Sequence, residues 1–237
     1  MRLDKFLSDM GTGTRSEIKK SIRSGLVTVD GSTVRDPGFH VTSDSAVTLG
    51  GEPVGYEDFV YYMLHKPSGV ISASDDSRET TVVDLITEQK RKDLFPVGRL
   101  DRDTEGLLII TNDGEMAHRL LSPRHHVDKV YFARVRSVDS SDTLLTDSDV
   151  QAFRSGLTLP DGLQCLPAEL EILSANEARV TIREGKFHQI KRMFLALGFE
   201  VIYLKRLSMG PVSLDPALAP GEYRRLTGAE LAQLKSI

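Results

Sequence analysis

Cysteine is almost absent: Cys165 is the one thiol among 237 residues. A lone thiol excludes an intramolecular disulfide and a thiolate-rich metal site, and it fits a reducing, cytoplasmic setting. No apolar run comes near the roughly 20 residues that span a bilayer. The stretch Met1-Arg2-Leu3-Asp4-Lys5 offers no apolar core of a secretion signal. There is no nucleotide-binding glycine motif. The neighbouring His125 and His126 diverge in direction and have no carboxylate or cysteine cluster beside them, so neither a metal nor a cofactor is expected. Net positive charge is also missing, the formal total being −4.

What the total hides is patching, and a nucleic-acid partner needs only a local positive footprint. Between Met1 and Gly25 stand Arg2, Lys5, Arg15, Lys19, Lys20 and Arg23 against Asp4, Asp9 and Glu17. Between Lys186 and Arg206 stand Lys186, Lys191, Arg192, Lys205 and Arg206 against Glu200 alone. Acidic residues gather elsewhere, notably between Asp139 and Asp149. A hydrophobic fraction of 40% with 27% charged residues is that of a globular chain. The length suits a small domain joined to a larger one.

The first part has regular punctuation. Leu3, Phe6 and Leu7 have the spacing of a short amphipathic helix. Thr14-Arg15-Ser16-Glu17 is a capping box opening a second helix, with Gly25 as its stop. Ile18, Ile22 and Leu26 are expected to face inward, leaving Lys19, Lys20 and Arg23 in solvent. Val27 to Val34 reads as two short strands around an Asp30-Gly31 turn. Gly50-Gly51-Glu52-Pro53-Val54-Gly55 reads as a linker, so the expected division is residues 1–55, a linker at 56–59, and a body at 60–237.

In the body, Val60–His65 is a strand ended by Lys66-Pro67-Ser68-Gly69. Gly98-Arg99-Leu100-Asp101-Arg102-Asp103-Thr104-Glu105-Gly106 precedes a buried run, Leu107–Ile110. A carboxylate held among arginines at the rim of a sheet is both positioned and accessible. Glu115–Leu121 reads as a short helix, followed by Ser122-Pro123-Arg124-His125-His126 and a strand beginning Lys129-Val130-Tyr131. Glu184-Gly185-Lys186-Phe187-His188-Gln189-Ile190-Lys191-Arg192 follows another strand and opens a helix, with its early residues at the positive helix end.

Read together, R-L-D-K-F-L and R-S-E-I-K-K-x-I-R-x-G-x-V-x-V-D-G resemble an S4 RNA-binding domain. H-K-P-x-G-V-I-S, G-R-L-D-x-x-T-x-G-L-L, K-x-Y, E-G-K-x-H-Q-I-K-R-M-F and L-A-P-G-E-Y-R resemble the RNA pseudouridine synthases, and closely their RsuA branch. The resemblance runs from Arg2 to Tyr223, with His65 where Asn is more usual. It implies an α+β chain: a small S4 domain, then a catalytic domain on a mixed or antiparallel sheet.

By that resemblance Asp101 is the essential carboxylate, Tyr131 the ring that stacks on the target base, and Lys191 the cation that pairs with Asp101. Arg99, Leu100 and Leu204 are read as support. Arg192 joins them, although it is also the better candidate for a merely exposed helix cation. Expected RNA contacts are Arg2, Lys5, Arg15, Lys19, Lys20 and Arg23 in front, then Arg124, His125 and His126, then Lys186, His188 and Gln189. The motif around Lys66 is read as a brace for the active-site strand, and L-A-P-G-E-Y-R as structural.

The implied reaction breaks the N1–C1′ bond of a flipped-out uridine, turns the base, and rejoins it through C5. The carboxylate would serve as a nucleophile or as a base toward the 2′ proton, and the residues do not separate these routes. A carboxylate in a closed pocket needs a cation to stay ionised. In such a pocket, leaving one partner of the Lys191–Asp101 pair alone is expected to cost roughly 3–5 kcal/mol. The implied substrate is ribosomal RNA, 16S at a position of the 516 type, acted on by a monomer. The alternatives are a 23S target, or a non-catalytic ribosome-assembly factor. An S4-type ribosomal component would lack the G-R-L-D body.

Overall fold

The computed structural model describes residues 1–55, 57–88, 91, 93–139 and 143–237. It divides into two compact units, Met1–Val60 with Ile86–Phe95, and Tyr61–Leu85 with Pro96–Ile237. The first unit therefore takes back a distant segment that sequence patterning assigns to the body. Arg91 in that segment is buried, pairs with Asp93 at 2.8 Å, and lies 4.0 Å from the sulfur of Met10. Tyr56 of the expected linker and Asp142 of the acidic stretch lie outside the described residues.

In the first unit, α1 (Leu3–Asp9) and α2 (Arg15–Ser24) pack on a four-stranded antiparallel sheet ordered β2-β1-β3-β4. Its strands are β1 (Val27–Val29), β2 (Ser32–Thr33), β3 (Val47–Leu49) and β4 (Glu52–Val54). Thr14 and Glu17 form the expected capping box, and Gly25 closes α2 in the left-handed conformation at φ 81. Leu3, Phe6, Leu7, Ile18, Ile22, Val27 and Val29 form the core.

Two expectations fail in this unit. Leu26 is 53% exposed, because the left-handed Gly25 turns the chain away before Leu26 can continue the helix face. Gly50–Val54 is a hairpin and not a linker: Gly50 and Gly51 make the turn, and Pro53 sits on β4 at the sheet edge, where a missing N–H is tolerated.

The second unit contains β5 (Tyr61–Lys66), the two-residue β6 (Phe95–Pro96) at the division, and β7 (Glu105–Thr111). There follow α3 (Gly114–Leu121), a 3-10 turn at Pro123–His125, β8 (Lys129–Ser137), α4 (Asp147–Ser155), β9 (Glu169–Ser174) and β10 (Glu177–Ile182). It ends with α5 (Gln189–Ala196), β11 (Phe199–Met209), β12 (Val212–Ser213), β13 (Tyr223–Arg225) and α6 (Gly228–Lys235). The sheet runs β13-β5-β7-β11-β8-β10-β9, antiparallel except for β7 beside β11. The fold is α+β on a mixed sheet, and no helix among the described residues is long and apolar enough to cross a membrane.

The parallel pair sets the architecture of the site. Gly106 on β7 faces Arg206 on β11, which itself lies opposite Tyr131 on β8. A Cβ on Gly106 would stand 2.2 Å from the Arg206 carbonyl oxygen, and Gly106 has φ 105. Glycine is required there by both space and backbone angle. Gly106→Ala is expected to lower stability by about 3 kcal/mol or more, read from the midpoint of urea unfolding. A variant as stable as wild type would contradict this packing.

The C-terminal helix is clamped by charge. Arg224 pairs with Glu230 through two contacts of 2.9 and 2.8 Å and with Asp215 at 2.7 Å. Arg224 holds the Glu230 carboxyl at about 2, well below its ordinary 4.5, with burial opposing and Thr227 assisting. The folded-state value is depressed, so this stabilisation is present above 4.5 and is lost as pH falls from there toward 2. Loss of roughly 3 kcal/mol is expected across that window. Hydrogen exchange of α6 amides should show it, and Glu230→Gln should flatten the dependence.

Candidate active site

Asp101 lies on the loop entering β7, and three side-chain and backbone ties from the β5 region fix that loop. The Ser72 hydroxyl donates to Leu100 O at 2.8 Å and accepts from Leu100 N at 3.0 Å. Gly69 N donates to Arg102 O at 2.8 Å. Lys66, fully buried at the end of β5, donates from Nζ to the carbonyls of Pro67, Arg102 and Thr104 at 3.0, 3.1 and 2.9 Å. Burial pushes the Lys66 ammonium down to about 8, against the pull of Asp103 and Asp101. The H-K-P-x-G-V-I-S motif thus does more than brace a strand. It holds the Asp101 loop by its carbonyls.

His65 in the same motif is buried and its Nδ1 lies 2.7 Å from Leu218 O. Its backbone also bonds with Glu222 and Gly221. L-A-P-G-E-Y-R is accordingly the partner segment of β5, in keeping with a structural role.

One recess brings together Arg99, Leu100 and Asp101 from the loop, Tyr131 from β8, Leu204 from β11, and His188 with Lys191 from the start of α5. Lys191 Nζ stands 3.2 Å from one oxygen of Asp101, and His188 Nε2 stands 3.5 Å from the other. The Asp101 and Lys191 side chains are 27% and 23% exposed. The pair lies at a rim, so the cost of stranding either partner falls below that of a fully buried pair. Tyr131 is buried at 7% exposure, and Leu204 at 6%.

Lys191 is also shared with Asp103, at 2.5 Å. Burial pulls the lysine down, but the hydrogen bond to Asp103 and the charge of Asp101 outweigh it, and Lys191 ends above its ordinary value. Asp103 is correspondingly held low by Lys191, against its own burial. Lys191 is thus charged throughout the neutral range and serves two carboxylates. Asp103, an acid two residues beyond Asp101 in the same motif, has no signal in the local pattern that marks it as a second partner of Lys191.

Several expected contacts are placed differently. Arg192 is neither idle nor on Asp101: it pairs with Asp161 and donates to Phe187 O at 3.5 Å. Gln189 lines the recess, but it is buried, and its amide is occupied by Glu184 at 2.7 Å and by Lys186 N at 3.1 Å. Lys186 pairs with Glu184 at 2.9 Å and donates to Gln164 O. Glu184, which also receives Leu166 N at 2.9 Å, is the hub that orders this turn. Arg124, His125 and His126 are exposed at the 3-10 turn and do not line the recess. In the first unit, Arg15, Lys19, Lys20 and Arg23 are exposed on α2, while Arg2 and Lys5 are paired with Asp4 and Asp9. No group of three or more potential metal ligands occurs among the described residues.

Comparison with known proteins identifies the family. The S4 domain pattern matches residues 1–54, and the RNA pseudouridylate synthase pattern matches residues 60–196. The chain is 50% identical to an uncharacterized RNA pseudouridine synthase of Bacillus subtilis, over 98% of this chain and 97% of that one. It is 42% identical to the ribosomal small subunit pseudouridine synthase A of Vibrio cholerae, over 99% of both, and 39% identical to that of Escherichia coli, over 99% and 100%. A crystal structure of a pseudouridylate synthase superposes with a TM-score of 0.69 at 35% identity, over 99% of both chains. On these grounds, and with Asp101, Tyr131 and Lys191 gathered in one recess, the chain belongs to the RNA pseudouridylate synthase family and carries an S4 domain ahead of its synthase domain.

Proposed function

We propose that this chain isomerises one uridine of small-subunit 16S ribosomal RNA, at a position of the 516 type, acting as a monomer in the cytoplasm. The observation that carries the reading is the Asp101–Lys191 contact of 3.2 Å at the mouth of a recess lined by Tyr131. Full-length relatives named for the ribosomal small subunit support the choice of RNA.

The reaction changes no oxidation state. The N1–C1′ bond breaks, a C5–C1′ bond forms, C5 gives up its proton, and N1 gains one. In this reading Asp101 acts on the sugar as an ionised carboxylate, either adding to it or taking the 2′ proton. Lys191, 3.2 Å from Asp101, places a positive charge beside that carboxylate as the base closes the recess. The Tyr131 ring carries the flipped uracil, a contact worth about 1–3 kcal/mol, and Leu204 forms the apolar floor. The exposed cations of α2 in the S4 unit hold folded RNA through its phosphates, which makes binding salt-dependent.

Purified protein with 5-tritiated 16S and 23S transcripts tests the assignment. Tritium release from 16S alone supports it. Release from 23S alone keeps the chemistry and moves the target, whereas release from neither contradicts the reading.

A further inference from the structure

Phe187 is the most exposed large apolar side chain among the described residues, at 76% against 55% for the next. Isolated apolar residues on a surface need no explanation, but this one is built in. Its ring lies flat on the His188 imidazole, with centroids 3.8 Å apart and planes inclined by 18°. His188 in turn reaches Asp101, with Nε2 3.5 Å from Oδ1.

The backbone on both sides is fixed. Lys186 N donates to Gln189 Oε1 at 3.1 Å, and Phe187 O accepts from Arg192, which is itself held by Asp161. His188 adopts the left-handed conformation at φ 49. One face of Phe187 is therefore covered by His188, the residue that reaches Asp101, and the other is open to solvent.

Resting on the proposed reaction, we propose that the open face of Phe187 stacks the base flanking the target uridine. Flipping one nucleotide leaves its neighbours without a stacking partner on that side. Among the described residues that line the recess, Tyr131 is the tyrosine ring assigned to the target itself. A flat ring backed by imidazole at the rim replaces the lost stack for the neighbour and holds the strand open. Such stacking is tolerant of base identity, since every base has a π face.

The test compares Phe187→Ala, Phe187→Leu and Phe187→Tyr in the full chain, using a 16S transcript. Kd is read by filter retention, and kcat and KM by tritium release. Ala and Leu are expected to raise Kd and KM roughly tenfold, with the loss falling on KM rather than kcat, and Tyr is expected to restore both. Thermal stability should hold in all three, because the ring is exposed. Kd and KM within about twofold of wild type in the Ala variant would overturn the proposal, as would Leu restoring binding as well as Tyr. A wild-type protein that binds the transcript without releasing tritium contradicts the isomerase reading, while the Kd series still tests the stacking. No binding by wild type overturns both.

Discussion

Asp101→Asn is expected to reduce turnover by at least ~10⁴-fold, the order of loss seen when a reacting side chain is deleted, while leaving affinity for 16S RNA close to that of wild type. The amide fills the same volume, and the ties from Ser72, Gly69 and Lys66 all reach backbone atoms of the loop rather than the Asp101 side chain. Lys191 is not stranded by the change, since Asp103 still holds it at 2.5 Å. The fold should therefore keep its stability, and the defect should be confined to kcat. Single-turnover tritium release together with filter-binding separates the two quantities. Activity within tenfold of wild type would sink the role assigned to Asp101.

Lys66→Met is expected to be the most damaging change outside the recess itself. It withdraws one donor from the carbonyls of Pro67, Arg102 and Thr104. Leaving buried acceptors short of a donor costs about 1–3 kcal/mol each, so a fall of about 3 kcal/mol or more in unfolding free energy is expected. The Asp101 loop would relax as well, and a displacement near 1 Å at reacting atoms costs about 100-fold in rate. Lys66 touches neither Asp101 nor the recess, so its effect on kcat is one of positioning. The signature that distinguishes it from Asp101→Asn is joint loss: urea unfolding and kcat at saturating RNA should both fall. Loss of stability with kcat intact would show that the loop is held by its other ties.

The contrast between these two residues shows what was readable in the sequence. The position of Asp101 was legible because G-R-L-D-x-x-T-x-G-L-L places an acid on the loop entering a buried strand, as β7 is. Its glycine is explained by the 2.2 Å approach of Arg206 O to a would-be Cβ on Gly106, a parallel pairing between residues 100 positions apart that local patterning does not show. Lys66 was inside a recognised motif, yet its role was hidden, because a lysine at a strand end reads as solvent-exposed until the burial of Tyr61–Lys66 is known. Gln189 and Lys186 carried polar labels that suggested RNA, but Glu184 consumes both.

The front unit was legible through its caps: Thr14, Glu17 and Gly25 set α2 by rules that depend only on near neighbours. Its errors came where one composition serves two purposes. Gly50-Gly51-Glu52-Pro53 fits a linker and a hairpin turn with an edge strand equally well, and only the pairing of β3 with β4 decides between them. The grouping of Ile86–Phe95 with the first unit is likewise a long-range property. Phe187 passed unremarked in the sequence because a phenylalanine before a helix is ordinarily core; its 76% exposure is what marks it.

Mapping of pseudouridine across the ribosomal RNA of cells lacking this gene, with either wild-type or Asp101→Asn protein restored, tests the central claim most directly. The account predicts that one 16S position loses its modification and regains it only with the wild-type protein. An unchanged map in the deleted cells, or recovery with Asp101→Asn, would contradict it.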